Sequence, residues 1–147
     1  MFMKYSLILL IIIFSFSKSF SQLKRYGTSN EKNDLESGKF LGSEYKLLTN
    51  NQFDSSGNRI IIFKSTKNSS IQQKFYFRLQ NNLCFKSEEV LPLEMLPSKI
   101  SLLNKMHKPI AAGKWDDKEN SLITITVNYI IGQNFFTISF TNTLDDL

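Results

Sequence analysis

Trp115 lies beside three carboxylates, Asp116, Asp117 and Glu119, in the stretch GKWDDKENSLITI. Such carboxylates could ligate a metal ion, or act as acid and base if they occupied different environments across a cleft. A calcium loop of the helix-flanked kind needs oxygen ligands at alternate positions around a glycine, and this spacing is missing. On a strand, Asp116 and Asp117 point to opposite faces. The stretch therefore predicts a turn between two strands.

The predicted turn also predicts where the tryptophan lies. A three-residue loop, Lys118–Asn120, would combine a type I turn with a left-handed residue, a conformation that asparagine tolerates. Asp117 would then open the turn and face Ser121. Counting back along the strand, Trp115 would lie opposite Ile123 on the apolar face. The sequence thus predicts a buried tryptophan and no site in this stretch.

Nucleophilic and metal chemistry depends mainly on histidine and cysteine, and the chain has one of each. His107 is expected at a helix end, where an imidazolium interacts favourably with the helix dipole. Cys84 has no histidine nearby in sequence to act as its base, which favours a packed residue or an intermolecular disulfide. We therefore predict no catalytic residue, no metal site and no cofactor. Because carboxylates from distant strands leave no linear motif, a small hydrolase using Glu44, Glu94 or Asp116 remains the alternative.

Alternation of apolar and polar residues predicts most of the elements that position these residues. Each alternating segment is rich in β-branched or aromatic side chains, which favour strands. Residues 59–63 are apolar on both faces and fit a central strand, and residues 44–49 are a weaker candidate. The clearest alternation is in KFYFRLQ (74–80), SLITITVNY (121–129) and FFTISFT (135–141).

One helix is predicted between the strands, in LPSKISLLNKMHKP. Pro97 marks its start and Pro109 its stop. Ile100, Leu103 and Met106 recur at every third position and form an apolar stripe, which a short helix must bury to be stable. The predicted fold class is α+β: a mostly antiparallel sheet of six or seven strands with this short helix on its apolar face.

Two further hairpins follow from turn residues. A two-residue type II′ turn at Gly132–Gln133 would place inward residues opposite inward residues. A loop of Gln80, Asn81 and Asn82 would place Phe77 opposite Phe85, although Asn81 and Asn82 alone could also turn. The pairs predicted by the first turn are Tyr129 with Phe136, Val127 with Ile138, and Ile125 with Phe140.

The N-terminal residues predict export. Residues 1–21 have the layout of a secretory signal peptide, with cleavage expected between Ser21 and Gln22. Its apolar run of about 12 residues is shorter than the roughly 20 that span a bilayer, so no stable membrane anchor is expected after cleavage. The mature chain is predicted to be secreted or periplasmic. The predicted organisation is a signal peptide (1–21), a polar tether (22–39), one α+β domain (40–142) and a frayed tail (143–147).

Charge and surface pattern narrow the functional classes. The net charge of +5 comes from basic residues without a dense stripe, so nucleic-acid binding is not expected. Two surface features are candidate binding sites: a polar ladder for a ligand and an aromatic-basic stripe for a partner. The ladder consists of Thr124, Thr126, Asn128, Thr137, Ser139 and Thr141, and the stripe of Lys74, Tyr76 and Arg78.

These features favour a small exported, non-catalytic protein that binds an envelope protein or a glycan. The missing catalytic sets and a sheet with one polar face support this hypothesis. The alternatives are the small hydrolase and an inhibitor or immunity-type protein, which would have a tight stoichiometric partner.

Overall fold

The structure is a computed structural model that describes residues 41–118 and 122–142. The predicted signal peptide, tether and frayed tail lie outside these ranges, as do Phe40, at the start of the predicted domain, and Glu119 and Asn120 of the predicted loop.

The described residues form one eight-stranded sheet in which every neighbouring pair is antiparallel. Two four-stranded meanders meet at β4 and β8, giving the strand order β1-β2-β3-β4-β8-β7-β6-β5. The strands are β1 (Tyr45–Phe53), β2 (Arg59–Ser65), β3 (Gln72–Phe77), β4 (Cys84–Pro92), β5 (Lys108–Ala111), β6 (Lys114–Asp116), β7 (Ile123–Tyr129) and β8 (Phe135–Asn142).

The antiparallel α+β class is confirmed, but the predicted number of six or seven strands is too small. The edge strand β5 follows the helix almost directly and contains Pro109. Proline interrupts a helix, which is why the sequence predicts a stop there. It is also compatible with an edge strand, where one N–H can be lost without breaking a ladder.

The helix α1 (Leu96–Met106) follows a short 3-10 turn (Leu93–Met95) and connects β4 to β5. The predicted stripe packs on the sheet: Leu103 is fully buried, and Ile100 and Met106 pack partly buried against the same core cluster. The helix ends where His107 becomes extended. The predicted helix on an apolar sheet face is therefore confirmed.

The apolar face carries two clusters of buried side chains. The helix and its preceding turn contribute to the first cluster, which lies on β4, β6, β7 and β8, and Leu41 and Tyr45 pack against the second. The first cluster contains Leu91, Leu103, Trp115, Ile123, Ile125, Phe136, Ile138 and Phe140. The second contains Ile61, Phe63, Phe75, Phe77 and Cys84.

The β7–β8 register is as predicted. Tyr129 pairs with Phe136, and the two other predicted pairs also occur. The turn itself differs: the Gln133 N–H donates to the Ile130 carbonyl, which puts Gly132, with φ of +90°, at the third turn position. A positive φ at that position is typical of a type II turn rather than type II′.

The β6–β7 register is two residues away from the prediction. Trp115 pairs with Ile125 rather than Ile123, and the Asp117 N–H donates to the Ile123 carbonyl at 3.0 Å. The connection therefore has five residues, 118–122, instead of three. An even shift preserves the face of every side chain because strand side chains alternate with period two. Trp115 is buried, as predicted, with 3% of its surface exposed.

The β3–β4 register agrees with the prediction except at the turn. Lys74 pairs with Glu88 and Tyr76 with Lys86, but an irregularity then pairs Phe77 with Cys84 instead of Phe85. A β-bulge of this kind puts two residues opposite one and redirects the following side chains. Cys84 is thereby buried in the core.

Candidate functional site

The fold places the polar ladder on the sheet face opposite the helix. Its residues pair across β7 and β8, and neighbouring partners in a ladder point to the same side of the sheet. Asn128 is exposed, whereas Ser139 is buried and donates a hydrogen bond to Glu88 at 3.3 Å. The pairs are Thr124 with Thr141, Thr126 with Ser139, and Asn128 with Thr137.

Strand β4 joins this ladder to the aromatic-basic stripe. Glu88 pairs with Lys74 on one side and with Ser139 on the other. Lys86 likewise pairs with Tyr76 and with Thr141. The two candidate sites that the sequence treats separately are thus parts of one continuous surface, which we call the polar face.

Glu88 is the centre of the hydrogen bonds on the polar face. The Tyr76 hydroxyl donates to its Oε2 at 2.6 Å, and the Lys86 ammonium lies 2.6 Å from its Oε1. The Glu88 side chain is only 13% exposed. A carboxylate with this little exposure needs such partners, because burying an unpaired charge is strongly unfavourable.

The protonation of this cluster follows from its contacts. Burial by itself raises the pKa of the Glu88 carboxyl, but hydrogen bonds from Lys86 and Tyr76 and the charges of Lys86 and Lys74 hold that pKa below its ordinary value. Burial, the hydrogen bond to Glu88 and its negative charge together raise the pKa of the Tyr76 hydroxyl far above its usual range. Glu88 is therefore an anion and Tyr76 a neutral donor at neutral pH.

Cations cover the aromatic rings of the polar face. The Arg78 guanidinium lies 4.8 Å from the centroid of the Phe85 ring, and the Lys86 ammonium lies 4.8 Å from that of Tyr76. The two rings meet edge to face at 6.4 Å. Each cation–π contact occupies a ring face. A ligand that stacks on a bare aromatic ring, as many sugars do, would have to displace these cations.

The polar face has an excess of positive charge. Lysines outnumber carboxylates among the described residues that strand pairing places on it. Its acidic residues are Glu88 and Asp116, and Glu88 is already paired with Lys86. The lysines are Lys46, Lys64, Lys74, Lys86, Lys108 and Lys114.

A second polar cluster lies on the opposite, helix-covered face. The Lys99 ammonium reaches Glu89 at 3.3 Å, and both side chains are less than 15% exposed. Burial and the charge of Glu89 raise the pKa of Tyr45 to about 12, although a hydrogen bond with Gln73 opposes this. The ion pair connects α1 to β4 between the two core clusters. This second polar cluster therefore helps to attach α1 to the sheet.

The carboxylates of the hydrolase alternative do not come together. Glu44 precedes the edge strand β1 and forms an ion pair with Lys67, whereas Asp116 is on β6, with five strands between β1 and β6. Across the sheet, strand pairing places Asp116 level with Lys86 on β4. Glu94 lies eight residues further along the chain, just after β4 ends. In residues 41–118 and 122–142, no group of three or more potential metal ligands is found.

The other residues discussed from the sequence, Trp115, Cys84 and His107, are buried and pack in the interior. The Trp115 indole N–H donates to the Asn104 side chain at 2.9 Å. Cys84 is buried in the second core cluster. His107 lies at the helix end as predicted, but it is buried there, and its Nδ1 lies 3.8 Å from Asp117 Oδ1. Asp117, the last residue before the connection between β6 and β7, is buried beside it.

Sequence reasoning did not identify Glu88 as the centre of the polar face. Glu88 and Glu89 appear as adjacent carboxylates, which on a strand point apart. The signal was present in the predicted β3–β4 register. Continued beyond Phe77, that register places Lys74 opposite Glu88, as the structure does.

Comparisons with known proteins give no relationship. No protein-family model, curated protein or solved structure matches this chain. Within the described part of the chain, no helix has the length and hydropathy needed to cross a bilayer. The functional argument therefore depends on the chain's own residues.

Proposed function

We propose that this protein is a small exported, non-catalytic binding protein, and that its polar face binds an acidic surface of a protein partner in the cell envelope or outside the cell. The observation that carries the proposal is the continuity of the polar face. The ladder, the stripe and five further lysines lie on one side of a single sheet.

The charge of the polar face supports an acidic partner. Complementary charge accelerates association and excludes wrong partners more than it adds raw affinity. Lys64 and Lys114 lie on separate strands, with Glu88 and Lys74 between them across the sheet. A partner with carboxylates at matching positions would meet cations over the breadth of the face.

The side chains of the polar face are already held in place by one another, which supports binding without rearrangement. Glu88 fixes Tyr76, Lys86 and Ser139 through the contacts described above. Side chains that are already held lose less conformational entropy when a partner binds. The cations over Tyr76 and Phe85 disfavour a neutral glycan, which would use the rings for stacking.

Capture with charge-reversed variants tests this proposal. Tagged wild-type protein is exported in its native host, cross-linked, and recovered with its bound proteins. The test variant Lys64→Glu/Lys114→Glu reverses two charges on the polar face. The control Lys105→Glu/Lys118→Glu makes the same change in net charge at exposed residues near the end of α1, where the Lys118 ammonium reaches the Lys105 carbonyl.

The proposal predicts a stoichiometric protein that the wild type and the control capture and the test variant loses. Equal capture by the test variant would show that the polar face is not the binding surface. Recovery of a glycan in place of a protein would contradict the choice of partner.

A further inference from the structure

We propose that the end of the sheet at the β7–β8 turn is a membrane-contact site that inserts into the surface of a lipid bilayer. The site consists of five exposed apolar side chains, which we call the apolar tip. They are Leu93, Tyr129, Ile130, Ile131 and Phe135.

The fold brings these residues together from three places in the chain. Tyr129 ends β7 and Phe135 begins β8. The Leu93 N–H donates to the Asn134 carbonyl at 2.9 Å, which attaches the end of β4 to the same hairpin. Ile130 and Ile131 form the projecting end, with 65% and 93% of their surfaces exposed. The apolar tip is therefore a convex projection.

Turn geometry does not require these two isoleucines. Gly132 alone has the positive φ, and the Gln133–Ile130 hydrogen bond uses only backbone atoms. Polar residues such as asparagine, aspartate and serine are typical of turns because their side chains support the turn. Two adjacent isoleucines in this turn instead expose apolar surface that folding does not bury. An exposed apolar cluster of this kind marks an interaction site.

The chemistry of the hairpin suits a lipid surface. Residues 120–144 contain no Lys, Arg, Asp or Glu, so insertion would not desolvate a charge from this segment. Tyr129 and Phe135 flank the isoleucines, and aromatic rings, tyrosine above all, favour the interface between headgroups and acyl chains. Cleavage after Ser21 would remove Lys4 and Lys18 and leave a net charge of +3, which would add attraction to anionic lipids.

The size of the apolar tip favours a bilayer over a second protein. A stable protein interface uses roughly 20–30 residues on each side, packed over a matching surface. Five side chains on a convex end are too few for this. A membrane needs no matching shape, because binding strength grows with each apolar group placed below the headgroups. A second copy of the chain is the occupant that the experiment must exclude.

Co-sedimentation with lipid vesicles tests the proposal. The exported, processed protein is mixed with vesicles of phosphatidylethanolamine and phosphatidylglycerol, and its N-terminus is verified by mass spectrometry. The test variant is Ile130→Ser/Ile131→Ser. The matched control, Leu47→Ser/Leu48→Ser, removes two other exposed aliphatic side chains, from the edge strand β1. Urea unfolding verifies that both variants remain folded.

We expect the test variant to lower the partition coefficient about tenfold or more, and the control to leave it unchanged. A wild type that does not sediment with vesicles, or a test variant that binds like the wild type, would overturn the proposal. So would sedimentation equilibrium showing a wild-type dimer that Ile130→Ser/Ile131→Ser dissociates, because the apolar tip would then bind a second copy.

Discussion

The hydrogen bond between Tyr76 and Glu88 should stabilise the fold measurably. Tyr76→Phe removes only the hydroxyl that donates to Glu88 Oε2 at 2.6 Å, and Glu88→Gln removes the charge while keeping the side-chain volume. Hydrogen bonds to charged groups contribute about 1.5–3 kcal/mol when both partners are shielded from water. Tyr76 is half-buried, so we expect about 1–2 kcal/mol for Tyr76→Phe.

Glu88→Gln should be the more damaging substitution. It also weakens the contact with Lys86 and leaves that ammonium without its charged partner. We expect a loss of about 2–3 kcal/mol in the free energy of unfolding. In the double variant the shared hydrogen bond is lost only once. The double-mutant cycle should therefore give a coupling energy of about 1 kcal/mol or more.

The assay is urea unfolding at neutral pH, followed by the fluorescence of Trp115, which all four proteins retain. A coupling energy below about 0.3 kcal/mol, within the usual limit of additivity for independent sites, would refute the hydrogen bond between the two side chains.

The same cluster predicts a pH dependence. The folded protein holds the Glu88 pKa below its ordinary value of 4.5, so between these two pKa values the unfolded chain binds more protons. Stability therefore rises with pH across this window. The advantage of the wild type over Glu88→Gln should be complete above pH 4.5 and disappear as pH falls through the folded pKa. An advantage that persists below that window would contradict the shift.

Two further substitutions test the fold. Trp115→Ala should lower the free energy of unfolding by about 3–5 kcal/mol, because it empties a buried site and leaves Asn104 without its indole donor. Trp115→Phe should lower it less. Urea unfolding followed by far-UV circular dichroism measures both variants, and a loss near zero for Trp115→Ala would contradict the burial. Gly132→Ala should cost about 1 kcal/mol through backbone strain alone, since an added methyl group would meet nothing within 4 Å. Gly132→Asn should lose less because asparagine tolerates positive φ, and an alanine variant as stable as the wild type would refute the strained turn.

Local pattern was sufficient for the helix, for most of the strands and for the inward faces of β7 and β8, but not for the edge strand β5. Alternation placed Phe136, Ile138 and Phe140 inward, and all three are buried. The β7–β8 register follows from the position of the turn, and it survives the different turn type. The position of Trp115 also survives a wrong loop length, because a shift of two residues returns every side chain to the same face.

Long-range pairing and edge structure could not be derived in the same way. The contact of β4 with β8 joins residues about 50 apart in sequence, and no turn between them sets the register. Glu88 acquires its role only when that pairing places it between Lys74 and Ser139. The burial of His107 against Asp117 likewise depends on how the helix end meets the β6–β7 hairpin. These features arise from tertiary packing rather than from local sequence.

The affinity of the captured partner for the polar face tests the central proposal most directly. It would be measured by titration of the purified partner against wild type, Lys64→Glu/Lys114→Glu and Lys105→Glu/Lys118→Glu at low and high salt. The proposal predicts at least about tenfold weaker binding for the polar-face variant, wild-type affinity for the control, and weaker wild-type binding at high salt. Equal affinity of the two variants, or binding that is independent of salt, would contradict it.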